Sequence, residues 1–234
     1  MNQLHIWPEE PAEQEGLVTT GFALEDAQGK RERFWYRLPT AQRGALTESC
    51  DPYVLAVLFT AMQTPADLRV HGSVSPSLLK NLEEYQAIWH SWLPDRYQPV
   101  EVLAESEQEA GRAAGSAAVM TFSGGVDSSF TAWRHRTGHA GRQTEDLQAG
   151  VILHGFDIPL KSEKAFDVAL NRSRIMLDSL GMETIPMATN LRGVGSNFDN
   201  SHATILASCL ALLQKRFSVG LIADSTPYHV LVFP

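Results

Sequence analysis

Cysteine is nearly absent from this 234-residue chain: Cys50 and Cys209 are the only two, far apart and outside any CxxC or zinc-ligand spacing. That excludes a disulfide scaffold and a structural zinc site. No Lys/Arg-rich run occurs, and 19 basic against 27 acidic residues leave a net charge of −8. A broad electrostatic footprint for nucleic acid or an anionic membrane is missing, which makes nucleic acid a poor partner. No apolar stretch approaches the roughly 20 residues that span a bilayer, so no membrane association is expected. The opening MNQLHIWPEEP has neither a basic n-region nor an apolar h-region, so no secretory signal is expected and the chain reads as cytoplasmic. The remainder is of ordinary globular composition and long enough to bury a core without staples.

Patterning divides the chain in two. Residues 105–116, polar and rich in Glu, Ala and Gly, read as a linker between an α+β segment at 1–104 and an α/β segment at 117–234. In the first, Leu17–Leu24 and Glu32–Leu38 flank the turn-like Asp26-Ala27-Gln28-Gly29, a hairpin signal. Asp51 and Pro52 open an apolar helix to Met62, with Asp51 as the expected N-cap. Leu68–His71 reads as a short strand. Ser75-Pro76 opens a second helix with Leu78, Leu82, Tyr85, Trp89 and Trp92 on one face, ended by Pro94. Pro99–Leu103 reads as a further strand. The second segment alternates. Strands are expected at Ala117–Phe122, Ala149–Leu153, Thr184–Ala188 and Val219–Ala223, and helices from Asp127, at Ser162–Leu180 and at Asn200–Phe217. This is an α/β pattern: a parallel sheet with helices on both faces, Rossmann-like, preceded by a smaller α+β domain. Ligands of such sheets sit beyond the carboxyl ends of the strands, where the loops at 123–128, 154–161, 189–200 and 224–229 converge. A fifth strand and closing helix are expected after Ala223, so the sequence ending at Pro234 reads as a fragment or a shortened protein.

The loop Ser123-Gly124-Gly125-Val126-Asp127-Ser128 concentrates the chemistry. Two glycines allow a tight turn and close approach to an anion, and successive amides form a nest at the positive end of the following helix. Ser123 and Ser128 offer hydroxyls to phosphate oxygens. Asp127 would repel a bare phosphate, and makes sense if it helps hold Mg²⁺ or orients the loop. The pattern is not a Walker A loop, because GxxxxGK[ST] is missing.

The string resembles the SGGxDS signature of the PP-loop ATP pyrophosphatases, complete over six residues and in a strand–loop–helix setting. The resemblance covers about residues 117–225 and is nearest in pattern to asparagine synthetase and 7-cyano-7-deazaguanine synthase domains. It implies ATP and Mg²⁺ as cofactors. A substrate oxygen attacks the α-phosphate, AMP and pyrophosphate are the eventual products, and an amine or ammonia captures the adenylate. The acceptor is an unidentified small carboxylate or amide. The chain departs from several family branches. Residue 2 is Asn, not the nucleophilic Cys of a built-in glutaminase, and there is neither the paired cysteines of sulfur transfer nor a C-terminal zinc-binding cysteine cluster.

In that fold the end of the second strand lies beside the adenosine. Backbone groups at Gly155 and Phe156 would then read the adenine edge, Gly155 permitting close approach, and Asp157 would reach ribose or metal; the alternative is a plain turn before Pro159. Arg192, in a loop with Asn190 and Asn197, suits a phosphate or carboxylate of the substrate or a solvated surface position. His202 in the first turn of the third helix is a candidate acid/base, or a structural histidine. Asp224, Ser225, Tyr228 and His229 follow the fourth strand, on the substrate side. Residues 1–104 would supply specificity or a subunit contact, hence a homo-oligomer. Two other readings stay open: a nucleotide-binding module without turnover, and a tRNA-modifying PP-loop enzyme.

Overall fold

In the computed structural model, which describes residues 2–111, 115, 117–195 and 197–223, one sheet of nine strands runs through both segments. In chain order the strands are β1 (Gln3–Gln14), β2 (Leu17–Glu25), β3 (Arg31–Pro39), β4 (Asp67–Val74), β5 (Val102–Glu107), β6 (Ala117–Thr121), β7 (Asp146–His154), β8 (Glu183–Thr189) and β9 (Val219–Leu221). The helices are α1 (Asp51–Gln63), α2 (Pro76–Trp92), α3 (Val126–Arg136), α4 (Glu163–Ser179) and α5 (Phe198–Ala211). The spatial order is β5-β4-β1-β2-β3-β8-β7-β6-β9.

The quartet β8-β7-β6-β9 is parallel throughout. Its strands are covered on both faces, as their uninterrupted apolar runs require. Along β6, Ala118 and Met120 pack with Ala132 of α3 and with Phe166 and Leu177 of α4. Val119, pointing the other way, belongs to the cluster containing Ile205 and Cys209 of α5. The α/β architecture expected from the alternation is therefore present. The sheet as a whole is mixed, because β3 pairs antiparallel with β8 through Tyr36↔Thr189 and Arg37↔Ala188. The larger core likewise crosses residues 105–116, uniting Phe22, Tyr36, Val57 and Leu58 with Val151, Met187 and Leu213. Tyr36 ties the halves further, its hydroxyl lying 2.5 Å from Ser208 Oγ on α5.

Several boundaries differ from the sequence reading, each for a local reason. β1 was not expected, and Pro8 and Pro11 lie within it. It tolerates them because β4 pairs only with Gln3–Ile6, and the register with β2 shifts between Glu9 and Ala12, where Pro11 sits. The fifth strand starts at Val102, not Pro99, and runs to Glu107 inside the expected linker, held by β4 through Ser73↔Ser106 and Val74↔Glu107. Asp51 does not cap α1; it lies inside the helix and its carboxylate accepts from Ser75 N (2.8 Å) and Ser75 Oγ (2.7 Å), joining the starts of α1 and α2. Ser75 does cap α2, accepting from Leu78 N. α5 begins at Phe198 under an Asn197 cap and ends at Ala211, the rest of the expected helix being a run of turns. α2 docks through aromatic edges: Phe59 meets Tyr85, Trp89 and Tyr97 nearly perpendicularly. Among the described residues no helix is long and apolar enough to cross a membrane.

The buried core predicts an alkaline limit to stability. Burial pushes the Cys50 thiol up to about 11 and the Tyr53 phenol up to about 12, from ordinary values of 9.0 and 10.0. Both groups are neutral when protonated, so the unfolded chain loses its protons first as pH rises. The stabilisation is complete below pH 9.0 and disappears as pH climbs through about 11 and then about 12. Each group is worth about 3 kcal/mol across its range. The urea midpoint is expected to be flat near neutrality and to fall steadily above pH 9; Cys50→Ala should make that fall shallower without abolishing it, because burial also raises the Cys209 thiol from the same ordinary value. A midpoint unchanged up to pH 11 would contradict this.

Candidate functional site

The carboxyl end of β6 sets the site. Phe122 N donates to Val151 O at 2.8 Å, so the strand holds its neighbour until the loop departs. Gly124 then turns with φ of +76°, a conformation a side-chain-bearing residue resists; a Cβ there would lie 3.2 Å from Ser173 Oγ of α4. Gly125 is the N-cap of α3, and no side chain caps that helix. The first-turn N–H groups therefore leave the helix end without a side-chain acceptor, facing where an anion would sit. The loop closes on itself: Ser128 Oγ donates to Gly125 O (3.2 Å), Ser123 Oγ lies 3.2 Å from Ser128 Oγ, and Gly125 N donates weakly to Ser123 Oγ (3.3 Å). Residues 123–127 are exposed while Ser128 is buried beneath them.

A cavity of about 300 Å³ opens beside this loop, between the ends of β6 and β7. Ser123, Asp127 and Ser128 line one side, and Phe156, Asp157 and Ile158 the other. Ala169 of α4, Leu206 of α5 and the residues after β9, Ile222 and Ala223, complete an apolar wall. The cavity thus has apolar walls with a few convergent polar groups, the usual make-up of a small-ligand site. Asp127 and Asp157 bring two carboxylates to it from consecutive strand–helix loops.

The loop after β7 is built with care. Gly155, at φ of +117°, is buried with its Cα against Thr189: a Cβ would fall 1.9 Å from Thr189 O. Its N–H donates to Ile158 O (2.9 Å). His154 fixes the loop from below, Nε2–H donating to Pro159 O at 3.0 Å while the ring stacks on Phe166, 4.3 Å away and nearly parallel. Arg192 fixes it from the side, Nη1 donating to Phe156 O at 2.9 Å with the guanidinium 4.5 Å from the Phe198 ring. A second, more open cavity of about 560 Å³ lies on the far side of Phe156 and Asp157, lined also by Gly155, Asn190 and Arg192.

The expected site residues therefore separate. Ser123, Asp127, Ser128, Phe156 and Asp157 line one cavity, with Gly124, Gly125 and Val126 forming the loop at its rim. Gly155 and Arg192 serve the adjoining cavity and shape the wall between the two. Asn190 is structural: it accepts from Trp35 N (2.9 Å) and donates to Arg33 O (2.9 Å), extending the β3–β8 junction. Asn197 caps α5. His202 is exposed, its Nδ1 at 2.8 Å from Asp199 O, and lines neither cavity. Asp224, Ser225, Tyr228 and His229 lie outside the described residues. Ser173 and His154 were not anticipated. Ser173 had a signal, being the one polar residue in the apolar series Phe166, Leu170, Leu177 on α4; His154 had none, since its partners are a backbone carbonyl and a ring on another element.

A third cavity of about 280 Å³ lies between α1, α5 and β9, lined by Leu55, Leu210 and Phe217 among others. It holds no ionisable side chain and shares Ile222 with the cavity beside the loop. Comparison with known proteins gave no match: no family model, no curated protein and no solved structure is significantly similar to this chain.

Proposed function

We propose that the chain is an Mg²⁺-dependent ATP pyrophosphatase of the PP-loop type, adenylating a small carboxylate or amide for attack by an amine or ammonia. One observation carries the reading: the Ser123–Ser128 loop joins a buried parallel strand to an uncapped helix, and Asp127 from it shares a cavity with Asp157. The uncapped start of α3 and the glycine turn before it suit a pyrophosphate. The apolar wall of Phe156, Ala169 and Leu206 suits a base.

The donor set fits Mg²⁺. Among the described residues no three His, Cys, Asp or Glu side chains form a metal cage. Mg²⁺ is ordinarily held by one or two carboxylates together with phosphate oxygens and water, and Asp127 and Asp157 supply that number of hard oxygen donors. The ion, when bound, offsets negative charge on the phosphates. The acceptor oxygen forms a bond to the α-phosphorus as the bond to the β-phosphate oxygen breaks, and pyrophosphate leaves. Loop amides and the α3 amino end stabilise charge gathering on that leaving group, and are already oriented to do so. His154 and Arg192 hold the Phe156–Asp157 wall. Two carboxylates in one cavity favour turnover over mere nucleotide storage, since binding an anion alone gains nothing from them.

Calorimetric titration with Mg·ATP tests the binding half. Gly124→Ala forces a strained φ into the loop, costing about 1–3 kcal/mol locally. It is expected to weaken Mg·ATP binding by about tenfold or more while the fold persists. Equal affinity in both proteins would remove the loop from the account.

A further inference from the structure

Apolar side chains are exposed unevenly over this molecule. Val126 (84% exposed), Phe130 (55%) and Trp133 (37%) on α3, with Val168 (52%) and Ile175 (72%) on α4, make up most of the large apolar side chains left exposed among the described residues. At 100° per residue each set points directly away from its helix's buried side, which is Ser128 and Ala132 on α3 and Phe166, Ser173 and Leu177 on α4. Both helices cover the same face of β6 and β7, and Arg136 Nε bonds Leu180 O at 2.9 Å, tying their far ends together. The result is one outward layer with two apolar lines. Its aromatic part is already ordered: Trp133 stacks on His139 at 4.5 Å and lies 5.9 Å from Phe130.

Charge identifies the occupant. Residues 126–182 contain seven Lys/Arg and seven Asp/Glu, so this layer and its connections are balanced and the rest of the chain carries the entire −8. Two copies meeting through any other part bring like net charge together; meeting through α3 and α4 they do not. A basic partner would gain nothing at this face, and would prefer the acidic remainder. The size is adequate. α4 is about 25 Å long at 1.5 Å per residue, and two helices side by side are about 20 Å wide. That matches the scale of the roughly 800 Å² per partner in a standard interface. Exposed aromatics at the centre with charged residues around them are the usual anatomy of such a patch.

We propose that the chain forms a two-fold dimer through the outer face of α3 and α4, with Phe130 and Trp133 as its anchors. The interface does not require the nucleotide chemistry, although Val126 belongs both to its edge and to the phosphate-type loop. Sedimentation velocity of the full chain, from about 1 to about 100 µM, tests it. The wild type should be dimeric in that range. Phe130→Glu with Trp133→Glu should weaken association by about 100-fold or more, and so should Val168→Glu with Ile175→Glu. Ile88→Glu, at an exposed apolar position on α2, should remain dimeric. Far-UV circular dichroism checks that each variant is folded. A wild type that is monomeric at the highest concentration overturns the proposal. So does a dimer that survives both double substitutions, or one that Ile88→Glu dissolves equally.

Discussion

Asp127→Asn is expected to lower the rate of AMP and pyrophosphate formation by on the order of 100- to 1,000-fold, the usual effect of removing one preorganised charge-stabilising group. Stability should hardly change. The Asp127 side chain is exposed and makes no hydrogen bond or ion pair within the described residues. Its interaction with the positive end of α3 is worth only about 0.3–1 kcal/mol. Asparagine keeps the shape but is a poor ligand for a hard cation. Raised Mg²⁺ should therefore recover part of the lost rate. Asp157→Asn should act on the same ion, so the double variant should lose little beyond the worse single one, as expected for residues that act as a unit. Initial rates by chromatography at several Mg²⁺ concentrations decide this. Full activity in Asp127→Asn, or strictly multiplicative losses in the double variant, would separate the two carboxylates and sink the shared-ion reading.

Gly155→Ala should be the most damaging single-methyl addition in the molecule. Its φ of +117° is unfavourable to any side chain, and the new Cβ would sit 1.9 Å from a backbone oxygen that cannot swing aside. Thr189 is itself held by β3, pairing with Tyr36 and donating from Oγ1 to Trp35 O at 2.7 Å. Relief must come from the 155–159 loop, and with it Phe156 and Asp157 leave the cavity wall. Clash and strain together are expected to cost about 3 kcal/mol, a fall in Tm of roughly 6–12 °C for a chain of this length. Mg·ATP affinity should fall at temperatures where the protein is still folded. Thermal melts and calorimetry on the same sample check both, and a variant with unchanged Tm and affinity would mean that Thr189 yields easily.

Most of the parallel half was readable because its signals are local. Uninterrupted apolar runs at 117–122 and 149–153 are typical of strands covered on both faces, and the strand–glycine–helix order positioned the loop without any knowledge of partners. What escaped the sequence depended on long-range pairing. The antiparallel seam between β3 and β8 joins residues some 150 positions apart, and the chain carries no composition signal for it. It makes one continuous sheet where the patterning suggested two segments. β1 carries Pro8 beyond its pairing with β4 and Pro11 at the register shift with β2, places that only the neighbouring strands reveal. At the site, glycine spacing exposed Gly124 and Gly155, since both need backbone freedom that sequence records directly. Arg192 reads in the sequence as a candidate for a phosphate or carboxylate, and Asn190 only as its polar neighbour in the loop. One proves to pin Phe156 O and the other to extend the sheet junction, a distinction set entirely by what lies opposite them.

The central claim is that ATP is split between its α- and β-phosphates at the Ser123–Ser128 loop. The most direct measurement is chromatographic separation of the products from Mg·ATP with a panel of small carboxylates, amides and amines, for wild type and Asp127→Asn together. AMP and pyrophosphate in equal amounts, dependent on an acceptor and largely lost in the variant, is the predicted result. ADP with phosphate, or AMP formed equally well without Asp127, would contradict it.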